Sequence, residues 1–293
     1  MISVIITAYK EPKTIGKALY AFLNSGVEEK FEVIATAPDE ETAVVIKEYS
    51  KNYPNVVYLK DPGKGKMFAL HLAFKKAKGE ILVLTDGDVI CDADAFARIL
   101  EPFTEKRIGC VTGRPVSANR RDDMFGFWSH LLTYAAHKKR LSCAKSRSYF
   151  TCSGYLFAFR NNVIESFPLD VPEDAYIPYK FMSSGYRIAY AHMAKVYITY
   201  PKNFREWLEQ KRRIAKAYEN YKQLGDLPMM KSFSKELIEG PLIALSFPES
   251  IKELYWTFLL FPARLYMWAL TFWDSKIIKV KHTDGWKRVE STK

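Results

Sequence analysis

The sequence has few cysteines, and they are not arranged as metal ligands. Among 293 residues there are four, Cys91, Cys110, Cys143 and Cys152, and no two of them form a CxxC pair. This spacing argues against a zinc cage and against a disulfide framework, so a reducing compartment is the simpler setting. The five histidines also lack ligand spacing.

Long uncharged stretches are missing as well. The most apolar segment, 254–273, holds eight aromatic residues, but Arg264 divides it into uncharged stretches of ten and nine residues. A spanning helix needs roughly 20 apolar residues, so the segment favours a helix lying in the membrane interface, with Lys276, Lys279 and Lys281 near the headgroups. A buried helix, a protein contact and a true span are the alternatives. No basic leader precedes the first apolar run, which argues against a secretory signal.

Acidic residues are too few to balance the basic ones. Lys and Arg number 44 against 33 Asp and Glu, a formal charge of +11, although the first hundred residues carry 13 basic and 14 acidic side chains. A phosphorylated substrate, an acidic membrane or nucleic acid would suit this excess. Binding of nucleic acid would require aromatics interleaved with Lys and Arg, whereas the densest aromatics lie in the apolar segment 254–273. We therefore expect no nucleic-acid partner.

The first 85 residues alternate between short β-branched runs and helical patterns. Strands are predicted at 2–8, 31–35, 56–59 and 81–85, with helices at 15–22, 40–49 and 68–77 between them. This alternation predicts an α/β protein with a doubly wound, mostly parallel sheet that binds its ligands beyond the carboxyl ends of the strands. Further helices are predicted at 93–103, 125–136, 173–183 and 204–221, and extended segments at 109–112, 155–159 and 187–200. We assign residues 1–220 to one catalytic-type domain and residues 221–293 to an aromatic, membrane-associating extension.

An acidic pair follows the fourth predicted strand. In Thr85-Asp86-Gly87-Asp88 the carboxylates of Asp86 and Asp88 are two residues apart, so in extended chain both can face one Mg²⁺ or Mn²⁺ together with phosphate oxygens. The alternative is a solvated turn rich in Asp and Gly. The position at the end of a βα strand favours the metal.

A glycine-rich loop lies between the third strand and its helix. Gly63 and Gly65 would let the backbone approach a ligand, and Lys64 and Lys66 supply positive charge for a diphosphate. The GxxxxGK[ST] spacing of a P-loop is absent, which disfavours an ATPase. At the end of the second strand, Asp39 is suited to bind a base or ribose, or to cap the helix that follows.

Further candidates lie in the second half of the chain. Glu173 or Asp174 is suited to act as a general base, with helix capping as the alternative. Gln210-Lys211-Arg212-Arg213 is either an anion clamp for a departing diphosphate or a solvated basic face. Arg114 and the Cys152-Ser153-Gly154 turn either border an acceptor pocket or are buried for packing.

Taken in order, these motifs resemble those of the family 2 glycosyltransferases with a GT-A fold. They are most similar to the branch that contains the cellulose and hyaluronan synthases, and the likeness covers roughly residues 2–215. The motifs are Ile5-Ile6-Thr7-Ala8-Tyr9-Lys10-Glu11, Pro38-Asp39-Glu40, Gly63-Lys64-Gly65-Lys66, Thr85-Asp86-Gly87-Asp88, Ser153-Gly154, Glu173-Asp174 and Gln210-x-x-Arg213.

The resemblance implies a role for each motif. It assigns the nucleotide base and ribose to Thr7, Tyr9, Glu11 and Asp39, the sugar diphosphate and metal to Asp86 and Asp88, the catalytic base to Asp174, and the diphosphate and acceptor to Gln210 and Arg213. Lys64 and Lys66 join the diphosphate group, and Ser153, Gly154 and Glu173 the acceptor side.

The resemblance also implies an inverting, metal-dependent transfer from a nucleoside-diphosphate sugar, UDP-linked in the first instance, to a lipid-linked or saccharide acceptor. We expect this to occur at the cytoplasmic face of a membrane, with the protein peripheral or monotopic. Position 214 is Ile, where processive members carry Trp, and several spanning helices are not found; both disfavour processive polymer synthesis. A non-catalytic sugar-nucleotide-binding scaffold is the rival interpretation.

Overall fold

The computed structural model describes residues 1–161, 163–164, 168–222 and 233–274. Within these ranges there are eight strands: β1 (Ile2–Thr7), β2 (Phe31–Ala37), β3 (Val56–Lys60), β4 (Ile81–Asp86), β5 (Ile90–Cys91), β6 (Ile108–Ser117), β7 (Leu156–Arg160) and β8 (Arg187–Ile198). The helices are α1 (Ile15–Leu23), α2 (Glu40–Asn52), α3 (Lys66–Lys76), α4 (Ala95–Leu100), α5 (Met124–Lys145), α6 (Glu173–Ser183), α7 (Phe204–Lys222), α8 (Phe233–Leu245) and α9 (Ile251–Phe272).

All eight strands form one sheet in the order β3-β2-β1-β4-β7-β6-β8-β5. Strands β1 to β4 are mutually parallel, as the alternating pattern predicted. Strand β7 is inserted antiparallel between β4 and β6, and β6 pairs parallel with β8. Because β7 reverses direction between them, β4 and β6 run the same way and their carboxyl ends share one edge of the sheet.

The sheet has an apolar cluster on each face. Val4 and Ile6 of β1 face α1 and α4, whereas Ile5 faces α3 and α6. Burial on both faces explains why β1 is a continuous apolar run rather than an alternating one.

Several elements differ from their predicted extents, among them α5, α4 and β6. Helix α5 continues to Lys145, nine residues past the predicted end, because its polar second half gave no apolar periodicity. The helix predicted at 93–103 ends at Leu100 and continues as a 3₁₀ turn, Glu101–Thr104, with Pro102 at its start. Strand β6 extends to Ser117, five residues beyond its predicted end.

Helices α8 and α9 form the described part of the C-terminal extension. Leu260 and Ala263 of α9 pack against Trp128 of α5 and Trp207 of α7. In the described ranges, no helix combines the length and the apolar character needed to cross a membrane. Lys276, Lys279 and Lys281 lie outside the described residues.

Candidate active site

Three strongly linked side chains meet at the carboxyl end of β4. The ammonium nitrogen of Lys66 lies 2.8 Å from Asp86 Oδ1 and 2.7 Å from Glu173 Oε1. Thr7, which pairs with Asp86 in the register of β1 and β4, donates its hydroxyl to the same Asp86 oxygen at 3.2 Å. We call Asp86, Lys66 and Glu173 the ion-pair triad.

The glycine-rich loop sets the position of Lys66. Gly63 and Gly65 have φ of +77° and +106°, values that an L side chain rarely adopts, and Gly65 is the N-cap of α3. Lys66 is therefore the first residue of α3 and points toward β4. Lys64 instead is exposed, with its Nζ 5.3 Å from the Phe68 ring centre, so the structure brings only one of the two candidate lysines to the triad.

The electrostatics of the triad keep Lys66 charged. Burial alone would lower the pKa of the Lys66 ammonium, but Asp86 and Glu173 together raise it well above its usual value. The triad thus presents one half-buried cation shared by two carboxylates from distant parts of the chain.

Tyr155 is a site residue that sequence reasoning missed. Burial raises the pKa of its phenol, and the charges of Asp88 and Asp86 raise it further, while Arg213 and Lys66 oppose them. All four charged groups therefore act on one phenolic oxygen. The signal in the sequence was only a strand beginning near residue 155, which says nothing about which loops it approaches.

Asp39 occupies the loop after β2, beside the loop after β1. Its carboxylate accepts hydrogen bonds from the Lys10 amide at 2.7 Å and from the Thr42 amide and hydroxyl at 3.0 and 2.7 Å. Burial alone would raise the pKa of Asp39, but these hydrogen bonds lower it below its usual value, so the group stays anionic. Asp39 does cap α2, the alternative role named for it, and at the same time ties the two loops together.

The other candidates of the first loop lie next to Asp39 and Gly87. Tyr9 is half-buried, with the Lys10 ammonium 5.5 Å from its ring centre. Glu11 is buried, and a Cβ at Gly87 would lie 2.6 Å from its Oε2. The Asp-Gly-Asp turn therefore requires its glycine, because a larger residue there would displace Glu11.

The Ser153-Gly154 turn lies against the start of α6. The Cys152 amide donates to the Asp174 carbonyl at 2.8 Å, and the Ser153 amide donates to the Thr112 hydroxyl at 2.8 Å. A Cβ at Gly154 would lie 3.4 Å from Glu173 Oε1 and 3.6 Å from Lys66 Nζ. The turn predicted to border the acceptor therefore touches the ion-pair triad directly.

Neither acidic residue at the start of α6 occupies its N-cap position. The N-cap is Pro172, and Glu173 instead pairs with Lys66. Asp174 is half-buried in the first turn, where the helix N-terminus favours a negative charge.

The basic run on α7 divides between two tasks. Arg213 is exposed and acts electrostatically on Tyr155, while Arg212 and Lys216 both pair with Asp274 after α9, the latter at 2.8 Å. Gln210 is buried, and its side-chain oxygen has no hydrogen-bond partner in the described part of the chain.

The carboxylates after β4 suit a divalent cation whose remaining ligands are diphosphate oxygens and water. No group of three or more Asp, Glu, His or Cys side chains among the described residues is arranged to hold a metal. Asp86 and Asp88, two residues apart at the carboxyl end of β4, are two hard oxygen donors. Mg²⁺ and Mn²⁺ at nucleotide sites are often held in this way, by one or two carboxylates with phosphate oxygens and water completing the shell.

Comparison with known families accounts for this arrangement of loops. The family described as Glycosyltransferase like family 2 matches residues 1–217. The chain belongs to this family. It is accordingly a glycosyltransferase, as the ordered motifs predicted, and the GT-A type of sheet was predicted correctly.

Curated relatives include polysaccharide synthases. A poly-beta-1,6-N-acetyl-D-glucosamine synthase of Staphylococcus aureus (strain COL) is 24% identical over 271 residues, which cover 88% of this chain and 63% of the relative. The enzyme of the same name from Staphylococcus epidermidis is 30% identical over 121 residues, covering 41% of this chain and 29% of the relative. The chain thus spans less than two thirds of the length of these relatives.

Solved structures share the fold at low identity. A mannosyltransferase from Pyrobaculum calidifontis, PcManGT, in complex with GDP-Man and Mn²⁺, superposes with a TM-score of 0.67 and 19% identity over 94% of this chain and 88% of its own. GalNAc-T7 with UDP, GalNAc and Mn²⁺ gives 0.54 and 16%, over 68% of this chain and 43% of its own. Both are similar to this chain in architecture.

Proposed function

We propose that this family 2 glycosyltransferase moves a sugar, with inversion and with a divalent metal, from a nucleoside-diphosphate sugar to a hydroxyl of a lipid-linked or saccharide acceptor. The observation that carries the proposal is the ion-pair triad, in which Lys66 joins the end of β4 to the start of α6. The residues proposed for the diphosphate, Lys66 and Asp86, are therefore adjacent to the start of the helix that carries the proposed general base. A UDP-sugar is the proposed donor.

The donor would lie across the carboxyl ends of β1, β2 and β4. Asp39 is anionic and accepts hydrogen bonds, which suits a ribose hydroxyl, and Thr7, Tyr9 and Glu11 line the same edge for the base. Lys66, Arg213 and Gln210 supply cationic and polar groups for the diphosphate. Asp86 and Asp88 would hold Mg²⁺ or Mn²⁺, which would neutralise charge on the leaving diphosphate.

Asp174 is the proposed catalytic base. As the acceptor oxygen forms its bond to the anomeric carbon, the bond from that carbon to the diphosphate breaks, and the acceptor proton passes to the Asp174 carboxylate. Attack opposite the leaving group inverts the anomeric centre. The N-terminus of α6 favours a negative charge at Asp174, and Glu173 and the Ser153-Gly154 turn form the acceptor side.

Substitution of Asp174 tests the proposal. Asp174→Asn removes the proton acceptor but keeps the shape, so transfer should fall by about 10²–10⁴-fold while donor affinity changes by less than about threefold. Transfer from UDP-, GDP- and dTDP-sugars with Mn²⁺ is measured alongside donor binding by calorimetry. Asp170→Asn, an exposed carboxylate four residues earlier, is the matched control. Full transfer activity in Asp174→Asn would refute the assignment of the base.

The C-terminal extension supports a position at the membrane surface. Large apolar side chains on α8 and α9 are exposed in the described chain, among them Leu242 at 78%, Ile251 at 88% and Tyr255 at 61%. Helix α9 therefore has an apolar outer face in addition to the face that packs on α5 and α7. We propose that residues 1–220 form the catalytic domain, and that residues 221–293 hold it peripherally on the cytoplasmic face of a membrane.

A further inference from the structure

A cluster of basic side chains lies apart from the ion-pair triad, where α5 crosses β6 and β8. It consists of Arg114 on β6, His137 and Lys138 on α5, and His192 on β8, and we call it the cationic cluster. His137 Nδ1 lies 2.8 Å from the Tyr190 hydroxyl, and the Tyr190 and His192 rings are 6.4 Å apart between centres. Lys138 and His192 are exposed and Arg114 is half-buried, so solvent reaches the cluster.

The cluster carries positive charge that no acidic side chain among the described residues balances. In the described ranges, no carboxylate lies within ion-pairing distance of Arg114, Lys138 or His192. Burial lowers the pKa of His137 to about 4, and the charged groups that lower it further, Arg114, His192, Lys138 and Arg140, are all cationic. An anion bound here would relieve this repulsion.

The sheet register places the cluster on the same edge of the sheet as the triad. Phe157 of β7 pairs with Leu84 of β4 on one side and with Thr112 of β6 on the other. Asp86 and Arg114 each lie two residues farther along these parallel strands, and the pairing of β6 with β8 shifts register between Thr112 and Arg114. The cluster lies on the side of β4 away from β1 and β2, whose loops are proposed to hold the nucleotide.

The Ser153-Gly154 turn connects the cluster to the triad. Arg140 is buried one turn after His137 on α5, and its guanidinium donates to the carbonyls of Thr151 and Cys152 at 3.2 and 3.1 Å. Thr112, two residues before Arg114, accepts the Ser153 amide. The same short turn therefore touches Glu173 and Lys66 at one end and is held by neighbours of the cluster at the other.

We propose that the cationic cluster binds a phosphate group carried by the acceptor, with Arg114 as its principal ligand and Lys138 and His192 beside it. This inference rests on the proposed function, since it names the chemistry of the acceptor for that reaction. Guanidinium groups pair with phosphate oxygens through two parallel hydrogen bonds, and histidine and lysine add single donors. A phosphorylated saccharide and a lipid phosphate both present this chemistry.

Binding of phosphate tests the site without requiring turnover. The full chain is titrated with inorganic phosphate and with octyl phosphate while the histidine ring signals are followed by NMR. We expect saturable shifts of the His137 and His192 signals, and an affinity at least about tenfold weaker in Arg114→Gln. The matched control is Arg107→Gln, an exposed arginine just before the opposite end of β6. Non-saturable shifts, or equal affinity in Arg114→Gln, would overturn the proposal.

Three further arms identify the ligand and guard against misfolding. UDP replaces phosphate in one arm, and a response of the histidine signals to UDP but not to phosphate would assign the cluster to the donor and refute the proposal. In the second, phosphatidylcholine vesicles with and without phosphatidylglycerol are sedimented; loss of vesicle binding in Arg114→Gln with unchanged phosphate affinity would make the cluster a headgroup patch and also refute it. His192→Gln, an exposed substitution, should weaken phosphate binding if Arg114→Gln does not fold, and unchanged affinity would count against the site. Absence of transfer by the wild-type protein would refute the proposed function but would not affect the phosphate-binding results.

Discussion

At the scale of single residues, the two lysines of the glycine-rich loop are chemically alike but differently placed. Lys66 begins α3 and is held between two carboxylates, whereas Lys64 extends over Phe68 at the surface. The sequence pattern predicted that the loop would offer cations to a diphosphate. It could not distinguish the lysines, because the partner that separates them, Glu173, is more than a hundred residues away in the chain.

This difference predicts unequal effects of one substitution. Lys66→Met leaves Asp86 and Glu173 close together without their shared cation, so the free energy of unfolding should fall by about 1–3 kcal/mol and donor affinity by about tenfold or more. Lys64→Met, the matched control, should change stability by less than about 0.5 kcal/mol. Urea denaturation and calorimetry with a UDP-sugar measure both quantities. Equal effects of the two substitutions would contradict the placement of Lys66.

Asp39 shows why the interpretation of a single carboxylate stayed open in the sequence. The pattern allowed a helix cap or a ribose ligand, and in the structure the cap leaves the carboxylate anionic at the edge proposed for the nucleotide. A residue's local role can be predicted from its neighbours in sequence. Its second role depends on the loop after β1, whose contact with Asp39 is a tertiary feature.

At the scale of elements, α9 is fixed to the rest of the protein at both ends. At its start, Arg121 donates to the two Glu253 oxygens at 2.7 and 2.8 Å, and to Glu249 at 3.0 Å. The Arg121 guanidinium also lies 4.6 Å from the Phe247 ring centre. At the other end, Asp274 is buried between Arg212 and Lys216, whose hydrogen bonds lower the pKa of Asp274 although burial alone would raise it.

Removal of the attachment at the start of α9 should lower the stability of the protein. Arg121→Gln breaks a two-point pair with a carboxylate that is only 12% exposed, so we expect a loss of about 1–3 kcal/mol in the free energy of unfolding. Arg98→Gln serves as control, because it breaks an exposed pair with Glu101 on α4 and should cost less than about 0.5 kcal/mol. Chemical denaturation compares them. A loss in Arg121→Gln no larger than in the control would mean that packing alone holds α9.

The strand order shows where prediction from sequence reached its limit. The βα alternation was sufficient for β1 to β4, since each parallel strand requires a crossover helix. Strand β7 was predicted as a strand, but a short apolar run such as Leu156–Arg160 carries no information on its direction or neighbours. Those depend on which side chains fill the space between β4 and β6.

At the scale of the whole molecule, the exposed large apolar residues of the described chain are concentrated on the outer surface of the last two helices. Phe258 and Tyr266 on α9 are 55% and 51% exposed, whereas many other aromatic side chains of the protein are buried. Burial of such side chains in a lipid interface is worth about 1.5–3 kcal/mol each. This arrangement fits a catalytic domain resting on a membrane.

The membrane proposal predicts a loss of vesicle binding from two surface changes. Phe258→Ser combined with Tyr266→Ser should weaken binding to vesicles of phosphatidylcholine with phosphatidylglycerol by at least about tenfold, since about 3 kcal/mol of burial is lost. Tyr20→Ser combined with Val44→Ser removes comparably exposed apolar side chains from α1 and α2 and should leave binding unchanged. Sedimentation of the full chain gives the comparison. Equal binding of the two double variants would refute the proposal.

The basic run on α7 connects the C-terminal helix α9 with the candidate active site. Successive residues of a helix project about 100° apart, so Arg212 and Arg213 point in different directions from the same helix. One holds Asp274 at the end of α9, and the other acts on Tyr155 beside Asp86. Because Arg212 and Arg213 belong to one helix, a rotation of α7 that displaces Arg212 from Asp274 would also move Arg213, so the attachment of the C-terminal helix and the position of a proposed diphosphate ligand are linked through α7.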